Sequence, residues 1–147
     1  MALSEHKKAY FDYEILEKFE AGLELLGFEV KSVIKGNAHL EGARVLIRGE
    51  EAYVVGLTIP PYQQKNTPAG YEPDRTRRLL LHKKEIAHLA GKQKEQGLTL
   101  VPIKLYNKRH KVKLEFAVAR GKKKFDKREV IKKRETKRRI ERSLKNF

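Results

Sequence analysis

Residues Ala43–Ile59, ARVLIRGEEAYVVGLTI, decide how the rest of the chain is read. Val45 and Ile47 fall on one face of a first extended segment, and Tyr53, Val55, Leu57 and Ile59 share a face of a second. Successive side chains of a strand point to opposite sides, so this period of two predicts two strands, with a tight turn near Gly49. A hairpin so well marked commits the chain to an antiparallel sheet, and the remaining segments must supply the strands that complete it.

A second hairpin follows the same logic in LTLVPIKLYNKRHKVKLEFAVAR, residues 98–120. Val101, Ile103 and Leu105 align in its first strand, and Val112, Leu114, Phe116 and Val118 in its second, with the turn near Asn107 to His110. Upstream, Tyr13, Ile15, Phe19, Ala21, Leu23 and Leu25 share odd positions while Glu14, Lys18, Glu20 and Glu24 fall on even ones. This predicts a long strand that Gly22 allows to bend. EVKSVIKG then places Val30, Val33 and Ile34 on one helical face and ends at Gly36, a short helix with a glycine stop.

RRLLLHKKEIAHLAGKQKEQG, residues 77–97, predicts the main helix: Leu79, His82, Ile86, Leu89 and Ala90 form a stripe, and Gly97 ends it. Between Pro60 and Thr76 stand Pro60, Pro61, Pro68 and Pro73 together with Gly70, which argues for an irregular loop. The order strand, strand, strand, helix, strand, strand is that of the OB-fold, a small Greek-key barrel whose faces and loops often bind oligonucleotides. The expected class is mainly β: an OB-fold-like antiparallel barrel with two or three helices. An SH3-like barrel or an open sheet would also satisfy the string.

The chain has 147 residues, 34 Lys and Arg against 19 Asp and Glu, and a formal charge of +15. Residues 120–147 hold 14 of the basic and 4 of the acidic side chains, so two thirds of the excess sits at one end. Apolar residues there, Val130, Ile131, Ile140, Leu144 and Phe147, are too sparse to dock on a barrel, and like charges oppose an isolated helix. The expected organisation is a barrel over residues 1–120 and a basic tail over 121–147, disordered when free. A polyanion that neutralised the tail would let it fold into a helix of roughly 30 Å over about 20 residues. Nucleic acid is the partner such a charge favours, through counterion release. A membrane surface would require an apolar insertion face that the tail lacks. No cysteine is present, which excludes disulfides and thiol chemistry, and no apolar run is long enough to span a bilayer or form a signal sequence. The expected location is the cytoplasm.

Motifs for phosphate loops, dinucleotide turns or zinc proteases are missing. His82 and His88 are six apart and share no helical face well, while His6, His39 and His110 lie in unrelated segments, so no metal site or cofactor is expected. The carboxylate pairs Asp12/Glu14, Glu14/Glu17 and Glu50/Glu51 have the setting of solvated acids rather than of nuclease metal ligands, and no catalysis is expected. Basic residues with interleaved aromatics carry more weight. Tyr62 and Tyr71 in the loop, Tyr106 at a strand end, and Phe125 amid Lys122, Lys123, Lys124, Lys127 and Arg128 offer rings for stacking and cations for phosphates, although Tyr62 and Tyr106 would serve equally as packing residues. Arg75, Arg77 and Arg78 cluster where the main helix is expected to start, an electrostatically unfavourable place unless an anion sits there. Lys111 and Lys113 share the outward face of the last strand, opposite Val112 and Leu114.

Six stretches in register, EAG at Glu20–Gly22, EVKS at Glu29–Ser32, RTRRLLLH at Arg75–His82, TLVP at Thr99–Pro102, ARGKK at Ala119–Lys123 and DKR at Asp126–Arg128, resemble the bacterial SsrA-binding proteins, also called small protein B. The resemblance runs over nearly the whole chain. It implies an OB-like barrel that makes and breaks no bonds itself but binds the tRNA-like domain of transfer-messenger RNA and delivers it to ribosomes stalled on messages without a stop codon. It also implies that the tail becomes helical in the empty mRNA channel of the small subunit, beside the decoding centre. Carried over by position, Glu20, Leu80 and Lys113 match the barrel's RNA contacts, and Asp126, Lys127 and Arg128 match the tail motif. Ile140 and Leu144 fall in a loosely matching end and take a terminal apolar role. The chain departs from the family pattern at its start, where His6 precedes Lys7 and Lys8 and Phe11 replaces a common His, and at Phe28, often Thr. A basic ribosomal or nucleoid protein without such specificity is the alternative that composition alone favours, with a nuclease behind it.

Overall fold

The computed structural model describes residues 2–122 apart from Gln64 and Asn66. Both expected hairpins form. β3 (Arg44–Arg48) and β4 (Glu51–Val55) meet around Gly49, whose φ of +63° suits glycine in a tight turn. β6 (Leu98–Lys108) and β7 (Lys111–Gly121) meet at Arg109 and His110, both at positive φ, the two-residue geometry that matches strand twist. β2 (Tyr13–Leu23) pairs with β7 along almost its whole length.

A sixth barrel strand that the helical stripe concealed completes the ring. β5 (Arg77–Leu80) lies between β4 and β2, and α3 is confined to Lys83–Lys94. Arg77 and Leu79 are buried while Arg78 and Leu80 are exposed, a period of two that decides for strand. The hydrogen-bonded order β2–β5–β4–β3–β6–β7 closes on β2, an OB-fold-like barrel whose closure removes the free edges of a sheet. β1 (Ala2–Glu5) adds to the far end of β6, and α1 (Ala9–Asp12) leads into β2; neither is anticipated from the sequence, both being only 4 residues long, too short to show a period. α2 (Gly27–Ile34) stops before Gly36 as expected. α3 runs through Gly91 and ends at Lys94, three residues before Gly97.

The second hairpin strand also differs from expectation beyond Val55. Ala52 and Val54 face inward, as do Leu57 and Ile59, so the alternation skips a beat at Gly56 and Tyr53 and Val55 point outward. Gly56 has a φ of +75°, and a Cβ there would stand 2.8 Å from the carbonyl oxygen of Gly42. The core inside the barrel gathers Phe116, Leu114, Leu105, Leu100, Val54, Leu79 and Leu89, all but fully buried, with Phe116 stacked on Phe19 at 5.7 Å. Each buried Leu or Phe contributes about 2 kcal/mol through the apolar surface it removes from water. At the seam between β3 and β6 the ladder consists of Val45 and Leu100; beyond it, Gln93 of α3 donates to the Ile47 carbonyl at 3.0 Å and accepts from the Ile47 N–H at 2.7 Å, taking the part of a missing strand.

Candidate nucleic-acid interface

Gly22 is the hinge of the site. It is opposite Leu80 on one side of β2 and opposite Lys113 on the other, so three residues far apart in sequence lie in one row across β5, β2 and β7. A Cβ at Gly22 would lie 3.5 Å from Leu80 Cδ1 and 3.7 Å from Lys113 Nζ, which means that leucine and ammonium flank the glycine closely on the outer surface. Leu79 is in the core, so β5 turns Leu80 outward, where it is 51% exposed. Lys111, Lys113 and His110 continue the row into a groove of about 270 Å³ whose apolar wall is Leu23, Leu25 and Val30. An apolar side chain bordered by lysines is suited to a folded RNA surface, the lysines engaging phosphates and the leucine a sugar or base.

Glu20 lies one outward step along β2. It accepts a short hydrogen bond from the Tyr106 hydroxyl and another from Lys108 Nζ at 3.3 Å. The Tyr106 bond, with Lys108 and the nearby charge of Lys113, holds the Glu20 carboxyl below its usual range. Burial and the same carboxylate push the Tyr106 phenol up. Glu20 is thus fixed as an anion, and Tyr106 and Lys108 are the partners that fix it. Sequence reasoning named Tyr106 only as a possible stacking or packing ring and passed over Lys108, because the pairing depends on β6 and β2 flanking β7.

The three arginines do not form the expected cluster at a helix start. His82 precedes α3, with Glu85 reaching back to its N–H. Arg77 is fully buried: it donates to Glu29 at 2.8 Å, to the carbonyls of Leu57, Arg75 and Pro73, and to the Tyr71 hydroxyl. A guanidinium with this many partners inside the fold is a structural staple and presents nothing to a phosphate. Arg75 also pairs with Glu29, at 2.5 Å, and keeps about a third of its side chain exposed. Arg78 is the most exposed of the three and is held by Glu51 at 2.7 Å. Glu29, wholly buried, was hidden in the EVKS stretch. Burial pushes its carboxyl up, but bonds from Arg75, the Leu26 N–H, Arg77 and Tyr71 outweigh that and bring it down to about 2. Tyr71, expected as a stacking ring, instead donates to Glu29 and Ile59, and packs edge-on against Phe28 at 4.7 Å. Tyr62 is exposed, with Lys31 over its ring.

Lys122 ties down the end of β7, its N–H bonded to the Asp12 carbonyl at 2.9 Å and its Nζ to that of Tyr10 at 3.1 Å. Lys123, Lys124, Phe125, Asp126, Lys127, Arg128, Ile140 and Leu144 lie outside the described residues. Among the described residues no group of three or more His, Asp or Glu could hold a metal ion, and no helix is long and apolar enough to cross a membrane.

The sequence model of the SmpB protein family matches residues 3–146. The chain belongs to the SmpB family. An SsrA-binding protein of Thermosipho africanus is 52% identical over 144 residues, 97% of this chain and 96% of its own, and one of Trichodesmium erythraeum is 48% identical over 99% of this chain and 93% of its own. Among solved structures, a chain described under "tmRNA-SmpB: a journey to the center of the bacterial ribosome" superposes with a TM-score of 0.67 at 44% identity, covering 82% of this chain and 84% of that one. As an SmpB family member, the chain belongs with RNA-binding proteins. The barrel described above is the part that presents Glu20, Leu80 and Lys113 together.

Proposed function

We propose that this chain is a cytoplasmic RNA-binding adaptor of trans-translation, which holds the tRNA-like domain of transfer-messenger RNA and delivers it to stalled ribosomes for rescue and peptide tagging. The match to SsrA-binding proteins over nearly the full length of both partners carries the proposal. The Gly22 row supports it physically: Leu80 and Lys113 supply an apolar contact and a cation on a rigid barrel, with Glu20 anchored beside them as an acceptor for a base edge or an orienting anion. Gly121 ends β7 and Lys122 is tied to the barrel, so the separate unit expected from residue 121 starts beyond Lys122: a basic tail that becomes helical among ribosomal RNA phosphates in the vacant mRNA channel near the decoding centre and is blocked when message fills that path. The chain contributes binding and positioning; no bond is made or broken by its side chains.

Removal of residues 126–147 tests the division. The truncated barrel should bind the tRNA-like domain stoichiometrically and tightly, yet fail to support tagging in a reconstituted translation reaction. Asp126→Ala with Lys127→Ala and Arg128→Ala should do likewise, whereas Lys113→Glu should lose capture first. Equal binding of the truncated barrel to every structured RNA would instead make the protein a basic ribosomal or nucleoid component.

A further inference from the structure

The outer surface of the β3–β4 hairpin is a second, separate face. Along β3, Val45 and Ile47 enter the core, so Arg44, Leu46 and Arg48 point out; along β4, Tyr53 and Val55 point out. Register sets Tyr53 between Leu46 and Arg78, and Arg44 beside Val55. The face is therefore a half-exposed tyrosine on an apolar ledge, with an exposed arginine at each end of the β3 row. Glu51, the acid on this surface, is held by Arg78 at 2.7 Å. Neither Arg44 nor Arg48 makes an ion pair with any described residue. Beside β3 the seam toward β6 opens into a groove of about 470 Å³, so the surface continues past the strand edge.

We infer that this face binds an unpaired stretch of RNA, with a base stacked on Tyr53 and phosphates on either side engaged by Arg44 and Arg48. The arginines stand four residue steps apart on the strand, about 13 Å at the usual rise, which spans a short run of nucleotides. Two arginines without ion pairs around an aromatic ring, Arg48 opposite a Glu51 that Arg78 already engages, lie on the second- and third-strand face of an OB-like barrel and have the makings of a sequence-tolerant single-strand platform. A base stacked within a duplex offers Tyr53 no free face, so the ligand is single-stranded. Gly22, Leu80 and Lys113 stand on other strands, and the inference does not rest on what they bind.

A short uridine oligoribonucleotide carrying 4-thiouridine tests this on the full-length chain. Photo-crosslinks should map to the peptide spanning residues 44–55. Tyr53→Ala should weaken binding about tenfold while Tyr53→Phe retains it, because stacking needs the ring and not the hydroxyl. Arg44→Gln with Arg48→Gln should lower the slope of log affinity against log salt by about 1.4, two single-strand phosphate contacts. Capture of the tRNA-like domain should be unchanged in all three variants. Crosslinks confined to other segments, or an unchanged affinity and slope, overturn the inference. Loss of ribosome association with unchanged oligonucleotide binding also overturns it and points to a protein partner on this face.

Discussion

Glu29 and Arg77 are both fully buried and meet at 2.6 Å, an ion pair with no exposed edge between α2 and β5. Removing Arg77 leaves the buried Glu29 with Arg75, itself partly exposed, as its one counter-cation, and strips the carbonyls of Leu57, Pro73 and Arg75 of their donor. Arg77→Ala should therefore destabilise the barrel by about 3–5 kcal/mol. Arg75→Ala removes a partly exposed donor to the same carboxylate and should cost about 1 kcal/mol. Chemical denaturation of both variants checks the ranking, and equal losses would contradict the burial difference.

The same carboxylate makes acid stability a direct readout. Glu29 drops from an ordinary 4.5 to about 2 in the folded chain. A group whose pKa is depressed by folding stabilises the native state above its unfolded value and loses that contribution as pH falls through the folded one. Stability should decline between about pH 4.5 and pH 2, and Glu29→Gln should be less stable at neutral pH but shallower across that window. Thermal unfolding at a series of pH values measures both.

These predictions concern residues whose partners no local pattern reveals. The two long hairpins were legible because alternation and turn chemistry agree over many residues. β5 was not: in RRLLLH the leucines at 79, 80 and 81 satisfy a helical stripe and a strand equally, and Arg77 at an inward position makes sense only opposite Glu29, 48 residues earlier. Parity was lost past Gly56, since a positive φ breaks the two-residue period. For the site, the resemblance supplied Glu20, Leu80 and Lys113, but only the register of β5, β2 and β7 brings Leu80 and Lys113 together beside Gly22.

Leu80 should behave as a surface residue despite its apolar neighbours. Leu80→Asp should leave the unfolding midpoint within about 0.5 kcal/mol of the parent, the range of ordinary surface changes, while abolishing capture of the tRNA-like domain. Leu79→Asp, one residue earlier and in the core, should unfold the barrel. Circular dichroism and a mobility-shift assay on the pair separate contact from folding.

Gly56→Ala should cost at least 1 kcal/mol, more than an exposed glycine change, because the side chain meets both an unfavourable φ and the Gly42 carbonyl at 2.8 Å. Gly22→Ala makes a useful contrast: its Cβ would touch Leu80 at ordinary contact distance, and its stability should change little. A reversed order in denaturant midpoints would show that the chain turns at position 56 in some other way.

Tyr106→Phe removes the hydroxyl that contributes most to holding Glu20 ionised, leaving Lys108 and Lys113 to act on it. The Glu20 carboxyl should titrate at higher pH than in the parent, readable by carbon-detected NMR of a labelled side chain. If Glu20 contacts RNA from that fixed position, the variant should also bind the tRNA-like domain less tightly, although its aromatic packing is intact. Glu20→Gln should remove most of the effect of the second substitution, because the two side chains act as one unit in a double-mutant cycle. Additive losses would mean that Tyr106 reaches the RNA independently of Glu20, and an unmoved titration would show that the bond is not what keeps the acid charged.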